Sequence, residues 1–236
     1  NVKLYEFGKT YLFKNPEAET VTKRYQEEKH LAIILSGKEQ LENWNQDKKD
    51  VDFFFVKSMV QRILTKLQFT AKEITAEKTT NKQFKEGLVI SVRNKPVVEF
   101  GELSAKLLKS FGIKQKAFYA DFNWENIMKL SKQLDVQMEE IVKFPMVRRD
   151  LALVVDKSVT FGEIEAIARK AEKNILKSVG LFDVFEGKPL EEGKKSYSIN
   201  FFLQDNKKTL NDKQIDKLMN RLIMLYEKEI GALIRK

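Results

Sequence analysis

Beyond Phe144-Pro145 the apolar residues change period in a fixed order, and that order constrains the fold more than any other feature of the chain. Leu151 to Val155 reads as a strand. Thr160-Phe161-Gly162-Glu163 is a capping box opening a helix whose Ile164, Ile167, Ala168, Ala171 and Ile175 share a face. Val179 to Phe185 reads as a second strand, turning at Glu186 to Pro189, and Tyr197 to Leu203 as a third. Asn211, with Gln214 beyond it, opens a second helix carrying Ile215, Leu218, Met219, Leu222 and Leu225. Gly231 stops that helix, and Ala232 to Arg235 can add a closing strand.

The resulting order, β-α-β-β-α-β, is that of a ferredoxin-like split βαβ unit. It is expected over residues 144–236. The boundary before it falls at Gln137–Phe144, where an acidic helical stretch (Met138-Glu139-Glu140) meets a proline that forces the preceding residue toward extended backbone. Residues 1–140 read as a second α+β domain, an antiparallel sheet with helices on one side. Strands are expected at Leu4 to Phe13, Leu31 to Leu35 and Ala117 to Phe122, with a hairpin formed by Leu88–Val92 and Pro96–Phe100 around Arg93-Asn94-Lys95. The clearest helix covers 51–67, capped by Asp50 or Asp52, with Val56, Met59, Val60, Ile63, Leu64 and Leu67 on one face. A shorter one runs from Ser104 to Gly112. Phe53, Phe54 and Phe55 are consecutive in the long helix. Successive residues are about 100° apart, so one ring must face either a covering strand or a partner surface.

Composition removes several classes of function. With no cysteine there is no disulfide framework, thiolate metal site or cysteine nucleophile, which fits a reducing cytoplasm. No apolar run approaches the ~18 residues that span a bilayer, so no membrane partner is expected. The start, Asn1 to Glu6, has neither an initiator Met nor a signal-peptide core and reads as the inside of a longer chain. There is no Gly-x-Gly phosphate loop, and no His/Asp/Glu cluster has metal-ligand spacing. The single histidine, His30, lies at the entry to an apolar strand, and Glu139-Glu140 and Glu191-Glu192 lie in polar surroundings that would raise no carboxyl pKa. No catalytic and no metal-binding residue is assigned.

A net charge of +9, denser after residue 140, is compatible with a polyanionic partner. Much of it is interleaved with glutamates, as in Lys38-Glu39, Lys72-Glu73 and Lys228-Glu229, the pattern of a solvated face. In the third strand of the ferredoxin-like unit, alternation turns Tyr197, Ile199, Phe201 and Leu203 to the helices. That leaves Ser196, Ser198, Asn200, Phe202 and Gln204 on the open face, with Asp183 and Phe185 beside them. Aromatic rings amid small polar groups suit unpaired bases. The basic pairs Arg148-Arg149, Lys194-Lys195 and Arg235-Lys236 border this face as candidate phosphate contacts. Packing of Phe185 and Phe202 under a loop is the alternative, as is an ion-pair cluster of Arg148, Arg149 and Asp150.

Five ordered blocks in this region resemble the anticodon-binding domain that ends the β subunits of the bacterial phenylalanine–tRNA ligase family: Phe144 to Val155, Leu181 to Gly187, Gly193 to Tyr197, Thr209 to Asp212 and Gly231 to Arg235. Leu4 to Tyr11, Trp44 and Val51 to Lys57 are similar to the catalytic-like domain of the same subunits, which has a class II tRNA-ligase-like core without its chemistry. Ser104-Ala105 stands where the family carries His-Pro, and a Gly-Arg-Ser-Ala-like run near residue 86 is missing. The resemblance implies a tRNA-binding and assembly piece. ATP and Mg²⁺ would belong to the assembled enzyme and not to this piece, and the partners would be tRNA for phenylalanine and the α subunit, in an α2β2 assembly. A stand-alone protein–protein scaffold on a pseudo-catalytic domain is the alternative.

Overall fold

Period-two apolar patterning builds one antiparallel sheet in each of two units, Asn1–Gln137 and Met138–Lys236. The computed structural model describes residues 1–45, 48–71, 73–131 and 140–235. Gln137, Met138 and Glu139 of the expected boundary, Lys72 and Lys236 lie outside the described residues.

In the first unit the elements run β1 (Val2–Phe13), α1 (Val21–Arg24), β2 (Tyr25–Ser36), α2 (Phe53–Lys66), β3 (Ile74–Lys78), β4 (Phe84–Val92), β5 (Lys95–Leu103), α3 (Ala105–Ser110), β6 (Ala117–Asn123) and α4 (Trp124–Leu130). The sheet order is β1-β2-β6-β5-β4-β3, every neighbour antiparallel. Helix α2 starts where expected because the Asp52 carboxylate accepts the Phe55 N–H at 2.7 Å. Its Val56, Val60 and Leu64 are fully buried against Leu31, Ile33, Leu35, Val98, Phe100 and Phe122.

Three expectations for this unit need correction. The β4–β5 turn is the pair Arg93-Asn94, both at positive φ (49° and 64°), and Lys95 already pairs with Val92. A two-residue turn of this hand matches strand twist, whereas a three-residue loop would offset the register. The helices are not all on one side: Ala117 packs with α3 while its neighbour Phe118 packs with the α2 core, so α3 lies on the opposite face. Strand β2 begins well before the run Leu31–Leu35, because polar Tyr25 to Lys29 pair with β1 alone, beyond the reach of β6.

The second unit runs β7 (Val147–Asp156), α5 (Phe161–Ala171), β8 (Leu176–Phe185), β9 (Lys194–Leu203), α6 (Asp212–Ile230) and β10 (Leu233–Arg235). Its sheet order, β10-β7-β9-β8, is the antiparallel arrangement of the split βαβ unit expected from the sequence. Both capping boxes form. The Thr160 N–H donates to Glu163 Oε2 at 2.7 Å, and the Gln214 N–H donates to Asn211 Oδ1 at 2.9 Å. Gly231, at φ 60°, ends α6 in the left-handed conformation that costs a glycine least. The core joins α5 and α6 to Leu153, Val155, Ile199, Phe201 and Leu203. Ile175, expected on the α5 face, lies past the end of that helix but still packs against the core. Tyr226, which the pattern did not single out, is fully buried and donates its hydroxyl to the Ile164 carbonyl at 3.2 Å. Burial pushes its phenol pKa well above the ordinary value.

Candidate nucleic-acid interface

Directly opposed residues of an antiparallel pair share a face, so register assigns each side chain of the second sheet. Leu153 opposes Tyr197 and Leu151 opposes Ile199, all toward the helices. Arg148 opposes Phe202, Asp150 opposes Asn200 and Ala152 opposes Ser198, on the open face. Arg235 of β10 opposes Ala152 and joins them there.

The β8 register has two irregularities, at Leu176/Ser178 and at Leu181/Asp183, and the open-face assignment depends on the second. Val179 and Leu181 oppose Phe201 and Ile199 and face the core, but the register then shifts so that Asp183 opposes Ser198 and Phe185 opposes Ser196. Phe182 is the extra residue of a β-bulge, and the bulge moves Asp183 and Phe185 onto the open face. Phe182 itself is 53% exposed. The Arg148 guanidinium carbon lies 5.3 Å from the centre of its ring. Arg148 is held by two hydrogen bonds to Asp150, Nε to Oδ1 at 2.7 Å and Nη2 to Oδ2 at 3.0 Å. Those bonds raise the guanidinium further above its ordinary pKa, so it carries its charge at any working pH.

The Asn200 side chain rests against β8 at Gly180. A Cβ there would stand 2.5 Å from Asn200 Oδ1, so only glycine leaves room. Phe202, Ser198 and Phe185 are partly exposed. Lys194 pairs its ammonium with Asp156 at 3.0 Å across the strands.

Two expected phosphate contacts are elsewhere. Arg149 opposes Phe201 and therefore points to the helix side, with Nη2 3.4 Å from Asp212 Oδ1 at the start of α6. Lys195 is buried on that side, donates to the Lys157 carbonyl at 2.8 Å and lies 4.6 Å from the centre of the Tyr197 ring. The reason is period two: β7 and β9 begin early enough to include both basic pairs, and adjacent strand residues cannot share a face. The ion-pair alternative for Arg148, Arg149 and Asp150 forms only between Arg148 and Asp150. Sequence reading missed Phe182 and Gly180, whose roles come from the bulge and from a cross-strand approach.

The three phenylalanines of α2 divide by angle. Phe53 stacks on Phe100 with centroids 5.5 Å apart, and Phe55 packs half-buried on the core beneath the Lys3 ammonium. Phe54 is 71% exposed. The whole of β1 is exposed too, including Leu4, Tyr5, Phe7, Tyr11 and Phe13, a surface that sequence reading did not single out. His30 Nδ1 is 2.8 Å from Asp121 Oδ1. Among the described residues no group of three or more His, Cys, Asp or Glu could hold a metal ion, and no helix is long and apolar enough to cross a membrane.

The description of one protein-family model, "Ferredoxin-fold anticodon binding domain", matches residues 142–235. A second, "Phenylalanyl tRNA synthetase beta chain CLM domain", matches residues 1–124. Among curated proteins, the chain is 40% identical over its full length to a phenylalanine–tRNA ligase beta subunit of Bacteroides thetaiotaomicron, of which it spans 29%. It is 36% identical over 98% of its length to that of Porphyromonas gingivalis, again spanning 29% of the relative. The solved structure of a pyrrolysyl-tRNA synthetase from Desulfitobacterium hafniense overlaps 55% of this chain and 41% of its own at TM-score 0.38 and 12% identity, a likeness that fixes neither fold nor function. With one family model matching residues 1–124 and another residues 142–235, the chain belongs to the phenylalanyl-tRNA synthetase beta-chain family and carries a ferredoxin-fold anticodon-binding domain.

Proposed function

We propose that this chain serves a phenylalanine–tRNA ligase by binding the anticodon region of tRNA for phenylalanine through residues 144–236 and by assembling with the α subunit through residues 1–140. The observation that carries the RNA reading is the open face of the second sheet. There Phe182, Phe185 and Phe202 offer rings, Ser198 and Asn200 offer hydrogen-bonding groups, and Arg148, Lys194 and Arg235 stand at the margins. Phosphate contacts position the RNA and base contacts discriminate. No residue is assigned to the chemical step or to a metal; ATP and Mg²⁺ belong to the assembled α2β2 enzyme, in the cytoplasm. In the first unit, exposed Phe54 and the aromatic rows of β1 support contact with another protein.

A gel-shift titration against tRNA for phenylalanine and a non-cognate tRNA, repeated at several salt concentrations, tests the reading. The expected result is tighter binding of the cognate tRNA, weakening steeply with salt. Absence of binding even at low salt would favour the scaffold reading. Phenylalanine-dependent exchange of pyrophosphate into ATP by the purified chain would contradict the non-catalytic assignment.

A further inference from the structure

One side chain on the open face has a hydrogen-bonding group with nothing to bond. Asn200 Oδ1 is buried and has no partner among the described residues. It sits in the row Asp150–Asn200–Gly180, where glycine on one flank lets the amide rest against β8. The contact of Arg148 with Phe182 lies above it. Arg148 belongs to β7 and Phe182 to β8, with β9 between them, so the contact spans the central strand on the open face. Arg148 starts opposite Phe202, and Phe182 bulges out beside Ser198; Asn200 is the open-face residue between those two positions. The guanidinium is further tied to Asp150, the direct neighbour of Asn200. A cation and a ring thus roof an amide whose oxygen is unmet.

Resting on the RNA reading above, we infer that this roofed amide is a base-selecting pocket for adenine. The 5.3 Å between the Arg148 guanidinium carbon and the Phe182 ring centre is too little for a base between them, so the entering base displaces the exposed ring and stacks on the guanidinium, with the ring closing against its edge. The amide turns about its terminal torsion, which is soft for a side chain of this type. Its oxygen then accepts the exocyclic amino N–H while its nitrogen donates to the adjacent ring nitrogen, the two-point pairing an amide makes with an adenine edge. Arg148 keeps its bonds to Asp150 and gains a base face in place of part of the Phe182 contact. In free protein the roof keeps water from the amide and leaves its acceptor unsatisfied, so a base edge that meets it gains more than it would at a solvated amide. Gly180 and Asn200 act as one device: any larger residue at 180 displaces the amide.

The test uses the full chain and fluorescence anisotropy with labelled uridine nonamers carrying one central adenosine or one central purine riboside. The latter has the same ring without the amino group. The expected result is about tenfold tighter binding of the adenosine oligomer by the wild-type protein, a preference abolished in Asn200→Ala and in Gly180→Ala. Equal affinity of the wild type for the two oligomers overturns the inference and needs no variant to fold. A preference that persists in Asn200→Ala also overturns it. In both cases binding of the oligomers, and its uniform loss in Phe202→Ala, leaves the RNA-binding face standing. If no oligomer binds at low salt, the RNA reading itself falls and this inference with it.

Discussion

Arg148 and Arg149 are adjacent, equally charged and opposite in situation. Arg148 lies on the open sheet face, oriented by Asp150, while Arg149 reaches back to Asp212 at the start of α6. Changing Arg148 to Ala should therefore weaken RNA binding and flatten the dependence of log affinity on log salt by about one unit. Arg149→Ala should leave both nearly unchanged. Its exposed pair with Asp212, at 3.4 Å, should move unfolding free energy by no more than about 0.5 kcal/mol. Salt-series titrations of the two variants, with urea melts alongside, check this; equal losses of affinity would mean that RNA reaches the helix side. Glu163 makes a prediction about pH. The N–H and hydroxyl of Thr160 hold its carboxyl below the ordinary value of 4.5. A folded pKa below the unfolded one means stabilisation that is present above the unfolded value and lost as pH falls through the folded one. Glu163→Gln keeps the capping geometry but removes the charge. Its deficit against wild type in urea melts should be full near neutrality and vanish between about pH 5 and 3. A deficit independent of pH would show that the charge contributes nothing.

At the scale of elements, the bulge in β8 decides the chemistry of the open face. Before it Val179 and Leu181 face the core; after it Asp183 and Phe185 face outward and Val184 opposes Tyr197. A one-residue change of register reverses every later side chain in a strand. Deleting Phe182 should therefore turn Asp183 and Phe185 toward the helices or break the pairing with β9. Burying a carboxylate without a partner costs several kcal/mol, so the expected outcome is a large fall in the urea midpoint of the second unit. A deletion variant with an unchanged midpoint would show that the strand end tolerates either face. Other element boundaries were legible because local chemistry fixed them. The Thr160 and Asn211 boxes and Gly231 each meet backbone groups within a few residues of themselves. The bulge left no such local mark, since the extra place of Phe182 in the strand exists only against β9.

For the molecule as a whole, the cores of the two units share no residue. The second is built from Leu153, Ile164, Ile199, Phe201, Leu222 and others that pack against one another. Residues 142–236 expressed alone should consequently give a cooperative thermal melt and retain α6 and its sheet. Circular dichroism checks this, and a non-cooperative melt would show that the core is insufficient by itself. What the sequence alone determined was the succession of elements, the helix caps and the inward sets Tyr197–Ile199–Phe201–Leu203 and Val56–Val60–Leu64. Each follows from a period of two or 3.6 and from groups close along the chain. It also carried the family resemblance, and with it the expectation of a tRNA-binding piece. Only the tertiary structure decided which member of each basic pair reaches the open face, that α3 crosses to the far side of the first sheet, and that Arg148 of β7 reaches the ring of Phe182 on β8. Those outcomes depend on where strands start, where one residue is extra and which strand lies between two others, and these are settled by pairing between segments far apart in the chain.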